Sequence, residues 1–110
     1  MIFNQVNNYK LYVGLNDKDS YVQIIASEEA ENRSRIIVGE LVGGATFSNK
    51  QGYWVDELGN PTMENTIEIT ISNCNDEVIE EVCRKLNAEF NQNCIMVEKT
   101  VVQVAFCGER

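Results

Sequence analysis

The chain has 110 residues, 44% of them hydrophobic, with a single proline; this suits one ordered domain with its own core and excludes a disordered linker. Seventeen acidic against nine basic residues give a formal charge of −8, a balance that repels nucleic-acid polymers and anionic membranes. Histidine is absent, which excludes Ser-His-Asp and Cys-His catalysis, so an enzyme here would rely on carboxylates, Tyr or Lys.

Tyr9, Leu11, Val13 and Leu15 alternate with Lys10, Tyr12, Gly14 and Asn16, the period of a strand with one buried face. Asn16 to Ser20 reads as a turn, because Asn, Asp and Ser side chains bond nearby backbone. Asp17 and Asp19 belong to that corner, since no third carboxylate follows at a calcium-loop spacing. Tyr21 to Ala26 is a short strand or an extended lead-in. Ser27 is placed to cap a helix, with Glu28, Glu29 and Glu31 against its positive end. Ala30, Ser34, Ile37, Val38 and Leu41 recur at helical spacing, so the pattern predicts a helix over 27–42, stopped by Gly43-Gly44. Arg33 and Arg35 are expected to pair with Glu29 and Glu31.

The middle of the chain predicts antiparallel strands. Ala45 to Val55 carries Phe47, Tyr53 and Trp54, interrupted at Asn49-Lys50-Gln51-Gly52 by a tight turn or bulge. Gly59-Asn60-Pro61 turns the chain into a strand whose Ile67, Ile69 and Ile71 face one way and Glu68 and Thr70 the other. A second helix follows, capped by Asn75 or Asn73. Its stripe is Ile79, Val82, Cys83, Leu86 and Phe90, with Arg84 and Lys85 towards its negative end and Asn91-Gln92-Asn93 as its stop. The last strand is expected over Cys94 to Phe106. Its alternation slips where Val101 and Val102 stand side by side, which a bulge near Lys99-Thr100 or burial of both faces would produce.

Strand, helix, two strands, helix, strand is the βαββαβ order of the ferredoxin-like α+β sandwich, an antiparallel sheet with two helices on one face, formed by residues 1–110 as a single domain. Its second face carries Tyr12, Glu68, Thr70, Val102, Val104 and Phe106, a mixture that a partner subunit would cover; a homo-oligomer is expected. Cys74, Cys83, Cys94 and Cys107 form no CxxC pair and read as free thiols of a reducing compartment, so neither a metal site nor a cofactor is expected. No apolar run approaches the ~18 residues of a spanning helix. The start, MIFNQVNNYK, lacks the regions of a signal peptide, so a cytoplasmic protein is expected.

YKLYVGLNDKDS, the helix opening SEEAENR, the hairpin GYWVDELGNPTMENTIEI and the helix exit FNQNCIMVEK resemble the first family of phage anti-Thoeris proteins, over most of the chain. That resemblance implies a non-catalytic sponge in the host cytoplasm. Such a sponge binds cyclic ADP-ribose signals, in some members cyclic oligonucleotides as well, and holds them uncleaved between subunits of a dimer or hexamer. A cyclic adenine ligand with two phosphates needs a flat apolar surface, amides for the base edge, and Arg for the phosphates. Phe90, Asn91 and Asn93 at the helix exit, with Glu109 and Arg110 at the chain's end, are the candidate ligand-binding residues. Phe90 also fits the core stripe, Asn91 and Asn93 also suit a helix C-cap, and Arg110 also suits a frayed terminus. Tyr53 and Trp54 are alternative stacking surfaces, explained equally by cross-strand packing. The competing readings are an oligomeric ferredoxin-like regulatory module that binds a metabolite or host protein, and an enzyme using carboxylates on a small substrate.

Overall fold

The computed structural model describes residues 1–109; Arg110 lies outside the described residues. Its elements are β1 (Asn4–Gly14), α1 (Ser27–Gly39), β2 (Thr46–Val55), β3 (Pro61–Ser72), α2 (Asp76–Phe90) and β4 (Met96–Val104). They build one four-stranded sheet in the order β2-β3-β1-β4, antiparallel at every pair. This is the open α+β sandwich of the ferredoxin-like type.

The two periodicities explain the core. Tyr9, Leu11 and Val13 of β1 stand beside Ile71, Ile69 and Ile67 of β3, and all six are buried against the helices. From above, α1 contributes Ala30, Ser34 and Val38, and α2 contributes Ile79, Val82, Leu86 and Phe90. Ser34 is tolerated in this layer because its hydroxyl donates to the Ala30 carbonyl at 2.8 Å. The other sheet face has no helix on it. There Tyr12, Glu68, Thr70, Val102 and Val104 stand half-exposed.

Corners are built as the turn chemistry requires. Asp17 accepts from the backbone N–H of Asp19 and Ser20, both at 3.0 Å. At the hairpin tip Asp56 accepts from the N–H of Leu58 and Asn60, and Gly59 adopts φ +82°, where a side chain would be strained.

Several sequence-based boundaries shift. Ser27 is the first helical residue of α1 and not its cap; Ala26 holds that position with no side-chain bond, while the Ser27 hydroxyl accepts from Gln23. The helix ends at Gly39, three residues before the expected 42, and tightens into a turn as Leu41 and Val42 both donate to the Val38 carbonyl. Gly43-Gly44 is therefore a loop after the turn, with neither residue in the left-handed region. Asn49 to Gly52 makes no turn or bulge: β2 runs through it, paired residue for residue with β3. β4 likewise keeps one register with β1 from Met96 to Val104. Val101 and Val102 simply occupy opposite faces of an edge strand, and no bulge is needed. Arg84 and Lys85 sit mid-helix, the last turn of α2 holding no basic residue.

Candidate functional site

Beside Tyr9 in the sheet stands Lys99 of β4, and above both lies the first turn of α2. Asn75 caps that helix by accepting from the Val78 N–H at 3.0 Å, which fixes Asp76 over the sheet. Asp76 Oδ1 then accepts from the Tyr9 hydroxyl at 2.6 Å and from Lys99 Nζ at 2.9 Å. The ammonium also sits 5.8 Å from the Tyr9 ring centre. These contacts hold Asp76 below its ordinary value, the Tyr9 hydroxyl bond first and Lys99 second. The same carboxylate raises Lys99 and, by accepting its proton, Tyr9.

From this clamp a groove of about 600 Å³ runs along the helix side of β4 to the exit of α2. Ile79 and Cys83 of α2 and Ile95 and Val97 form its apolar walls; Asn93 and Cys94 close one end, and Glu80, Arg84 and Lys99 stand at its rim. Asn87 also lines it, and its side-chain oxygen is shut from solvent with no hydrogen-bond donor among the described residues. Such an acceptor lacks the compensation buried polar atoms usually have. Arg84 is engaged by Glu81 through two hydrogen bonds, which raises the guanidinium and lowers the carboxyl. Burial, with Glu80 nearby, pushes the Cys83 thiol up, which disfavours its thiolate. No group of three His, Cys, Asp or Glu side chains suited to a metal occurs among the described residues. The groove thus combines apolar walls, amides and rim cations. Its volume is in the small-molecule range.

Of the expected ligand residues that the structure describes, Asn93 alone lines this groove. Phe90, only 5% exposed, has its ring in the core. Asn91 caps α2 in the left-handed conformation at φ 49°, and its amide donates to Asp17 at 2.8 Å and Asp19 at 2.9 Å. It ties the helix exit to the first corner. Glu109 is exposed beyond the far end of β4. A nine-residue strand spans about 30 Å, so one protomer does not bring Glu109 to the helix exit. Arg110, the fifth, lies outside the described residues. Sequence reasoning missed Asn87 and the Tyr9–Asp76–Lys99 clamp. Asn87 flanks the apolar stripe of α2, a visible signal, but Lys99 meets Tyr9 only through the β1–β4 register.

A second polar cluster occupies the open sheet face. Tyr12 pairs with Glu68 on one side and lies next to Glu98 on the other. Desolvation first, then the Glu98 and Glu68 carboxylates, push its phenol up. Glu64 lies nearby, its carboxylate over Gly14 and accepting from the Asn16 N–H at 2.8 Å. A Cβ at residue 14 would come within 2.5 Å of that carboxylate, so glycine leaves it room.

Comparison with solved structures shows this fold in a phage SAM lyase in complex with S-methyl-5′-thioadenosine, at TM-score 0.66 and 19% identity over 91% of this chain and 89% of that one. CutA from Synechococcus elongatus PCC7942 follows at TM-score 0.59 and 11% identity, covering 92% and 80% of the two chains. The B. subtilis GlnK–ATP complex aligns at TM-score 0.50 and 11% identity over 87% and 82%. At such identities the likeness is one of fold. No curated protein matches the sequence. Residues 8–106, from the middle of β1 to beyond the end of β4, match the family described as "Protein of unknown function (DUF3574)", and the chain belongs to that family.

Proposed function

We propose that this protein binds an adenine nucleotide of the cyclic ADP-ribose kind in the groove between α2 and β4 and holds it unaltered, acting as a sponge. This is the role implied by the resemblance to the anti-Thoeris proteins, in which sequestering the signal in the host cytoplasm would silence the defence. The carrying observation is Asn87, which lines the groove and whose buried side-chain oxygen has no donor among the described residues, so that a small side-chain turn would offer it to a ligand. The amino group of adenine is a donor of the required kind. Ile79, Ile95 and Val97 offer the base a flat apolar wall, while Arg84 and Lys99 at the rim offer cations to phosphate. Incubation with cyclic ADP-ribose isomers tests the reading: a sponge binds and returns the intact compound after heating. Asn87→Ala should weaken binding roughly tenfold, the cost of one hydrogen bond to the base. Unchanged affinity in that variant sinks the groove.

A second reading rests on the other cluster. Tyr12 between Glu68 and Glu98 is an acidic environment, which suits a cationic sulfonium better than a phosphate. The shared fold with phage SAM lyase supports an adenosyl sulfonium ligand there. Incubation with S-adenosylmethionine separates the two: release of S-methyl-5′-thioadenosine, lost in Glu68→Gln, would make the protein an enzyme. A regulatory module of the oligomeric ferredoxin-like kind would bind neither compound and would be sought through a host protein partner.

A further inference from the structure

The sheet ends in two free edges, β2 and β4. β1 pairs with β3 only as far as Thr66, whereas β2 and β3 run on together to Val55 and Pro61. The hairpin therefore projects as an arm of about 17 Å beyond the four-stranded sheet. Tyr53, 64% exposed, Val55 and Met63 share one side of that arm. A two-stranded ribbon is marginally stable alone, and an open edge with apolar side chains is a template for strand addition. β4, on the opposite side of the molecule, exposes Val97 and Val101 on the groove side.

Charge selects how the two edges meet. Lys50 is the only charged residue on β2, and Glu98 is the only acidic one on β4. Both stand on the open sheet face: Lys50 is opposite Thr66, and Glu98 is opposite Lys10 and beside Tyr12. β2 runs parallel to β1 and β4 antiparallel to it. Antiparallel joining of β4 to the β2 of a second copy therefore keeps every copy in the same orientation, a head-to-tail contact.

We propose that copies of this chain join β4 to β2 in the register that sets Glu98 opposite Lys50, and that this brings Tyr53 of one copy beside Ile95 of the next, closing the groove. In that register the arm's Gln51 and Tyr53 continue the groove side, where Val97 and Ile95 stand. Within one chain the groove's aromatic residue is Tyr9, buried and held in the clamp, and the neighbour supplies an exposed one. The groove's role in nucleotide binding rests on the reading above; the joining itself is tested without ligand. By sedimentation, Lys50→Glu and Glu98→Lys should each raise the dissociation constant of the assembly roughly tenfold, because attraction becomes repulsion. The double variant should restore it. Helical content followed by circular dichroism separates dissociation from misfolding. The same register places Trp54 opposite Cys94, so Trp54→Cys should form an intermolecular disulfide on oxidation that Cys94→Ser abolishes. Single charge variants that leave the assembly intact, a double variant that fails to restore it, or a cross-link indifferent to Cys94 would each overturn the proposal.

Discussion

Asn91 shows how much one residue can hold. Its backbone takes the left-handed conformation that ends α2, its carbonyl accepts from the Lys18 N–H at 3.1 Å, and its amide binds Asp17 and Asp19. Conformation and side chain can be separated by two substitutions. Asn91→Gly keeps the cap and loses the amide bonds, whereas Asn91→Ala also strains the backbone. Ala should be less stable than Gly by about 1 kcal/mol in urea unfolding, and equal midpoints would refute the cap argument. The Tyr9–Asp76–Lys99 clamp makes a prediction in pH. Asp76 lies below its ordinary 3.8, so its contribution is complete above that value and is lost as the pH falls through the lower folded value. Tyr9 and Lys99 lie above their ordinary 10.0 and 10.5, so theirs is complete below those values and is lost as the pH rises through the higher folded ones. Stability should thus fall at both ends of the pH range. Tyr9→Phe should flatten both slopes in melting curves, and a profile parallel to wild type would show that the clamp adds nothing.

At the scale of elements, the two helices differ in how well their starts are made. α2 begins on Asn75 with a side-chain cap, α1 on Ala26 without one. Ala26→Asp should therefore stabilise the protein by about 1 kcal/mol, shifting the urea midpoint upward at constant slope. No shift would mean that water already satisfies the N–H groups of that turn. The same contrast shows what the sequence could disclose. Strict alternation in β1 and β3 and the apolar stripe of α2 identify the core because burial enforces one period over many residues. The end of α1 was not legible, since Gly43-Gly44 is a strong stop signal and the chain turns earlier on Val38. The polar run Asn49 to Gly52 resembles a turn locally, but pairing with β3 overrides that propensity and keeps it a strand. Val101-Val102 breaks a strict alternation in sequence, yet the register with β1 is unbroken. On an edge strand with one face open, both can be apolar without a bulge. Among the expected ligand residues, Asn93 lines the groove from the helix exit, and Phe90 packs in the core that its spacing equally allowed.

For the whole molecule the decisive fact is the sheet face that no helix covers. Copies joined edge to edge in one orientation keep these faces on the same side, and a ring closed with that side inward would turn them towards one another. Val6, Val102 and Val104 would then be buried at the centre, although in one protomer they are half-exposed. The protein should accordingly sediment as an oligomer at micromolar concentration, and a monomer there would count heavily against this arrangement. Val102→Asp provides the sharper test. Placed on the inner wall, an unpaired carboxylate costs several kcal/mol, on the order of 2 to 5, and the assembly should fall apart. In the separated protomer the same side chain faces water, so the helical signal and the unfolding slope per chain should survive. Loss of fold together with assembly would instead place Val102 in a core that the single chain already needs. The charge of −8 adds an independent sign, since each subunit repels the next. Raising salt from low to roughly 0.5 M shortens the screening length to a few ångströms and should tighten the wild-type assembly. Lys50 and Glu98 pull the other way, because screening weakens an attraction at the joint, but one pair is outweighed by the net charge of whole subunits. An assembly that loosens steadily with salt would mean that local ion pairs, and not the apolar inner face, hold it together.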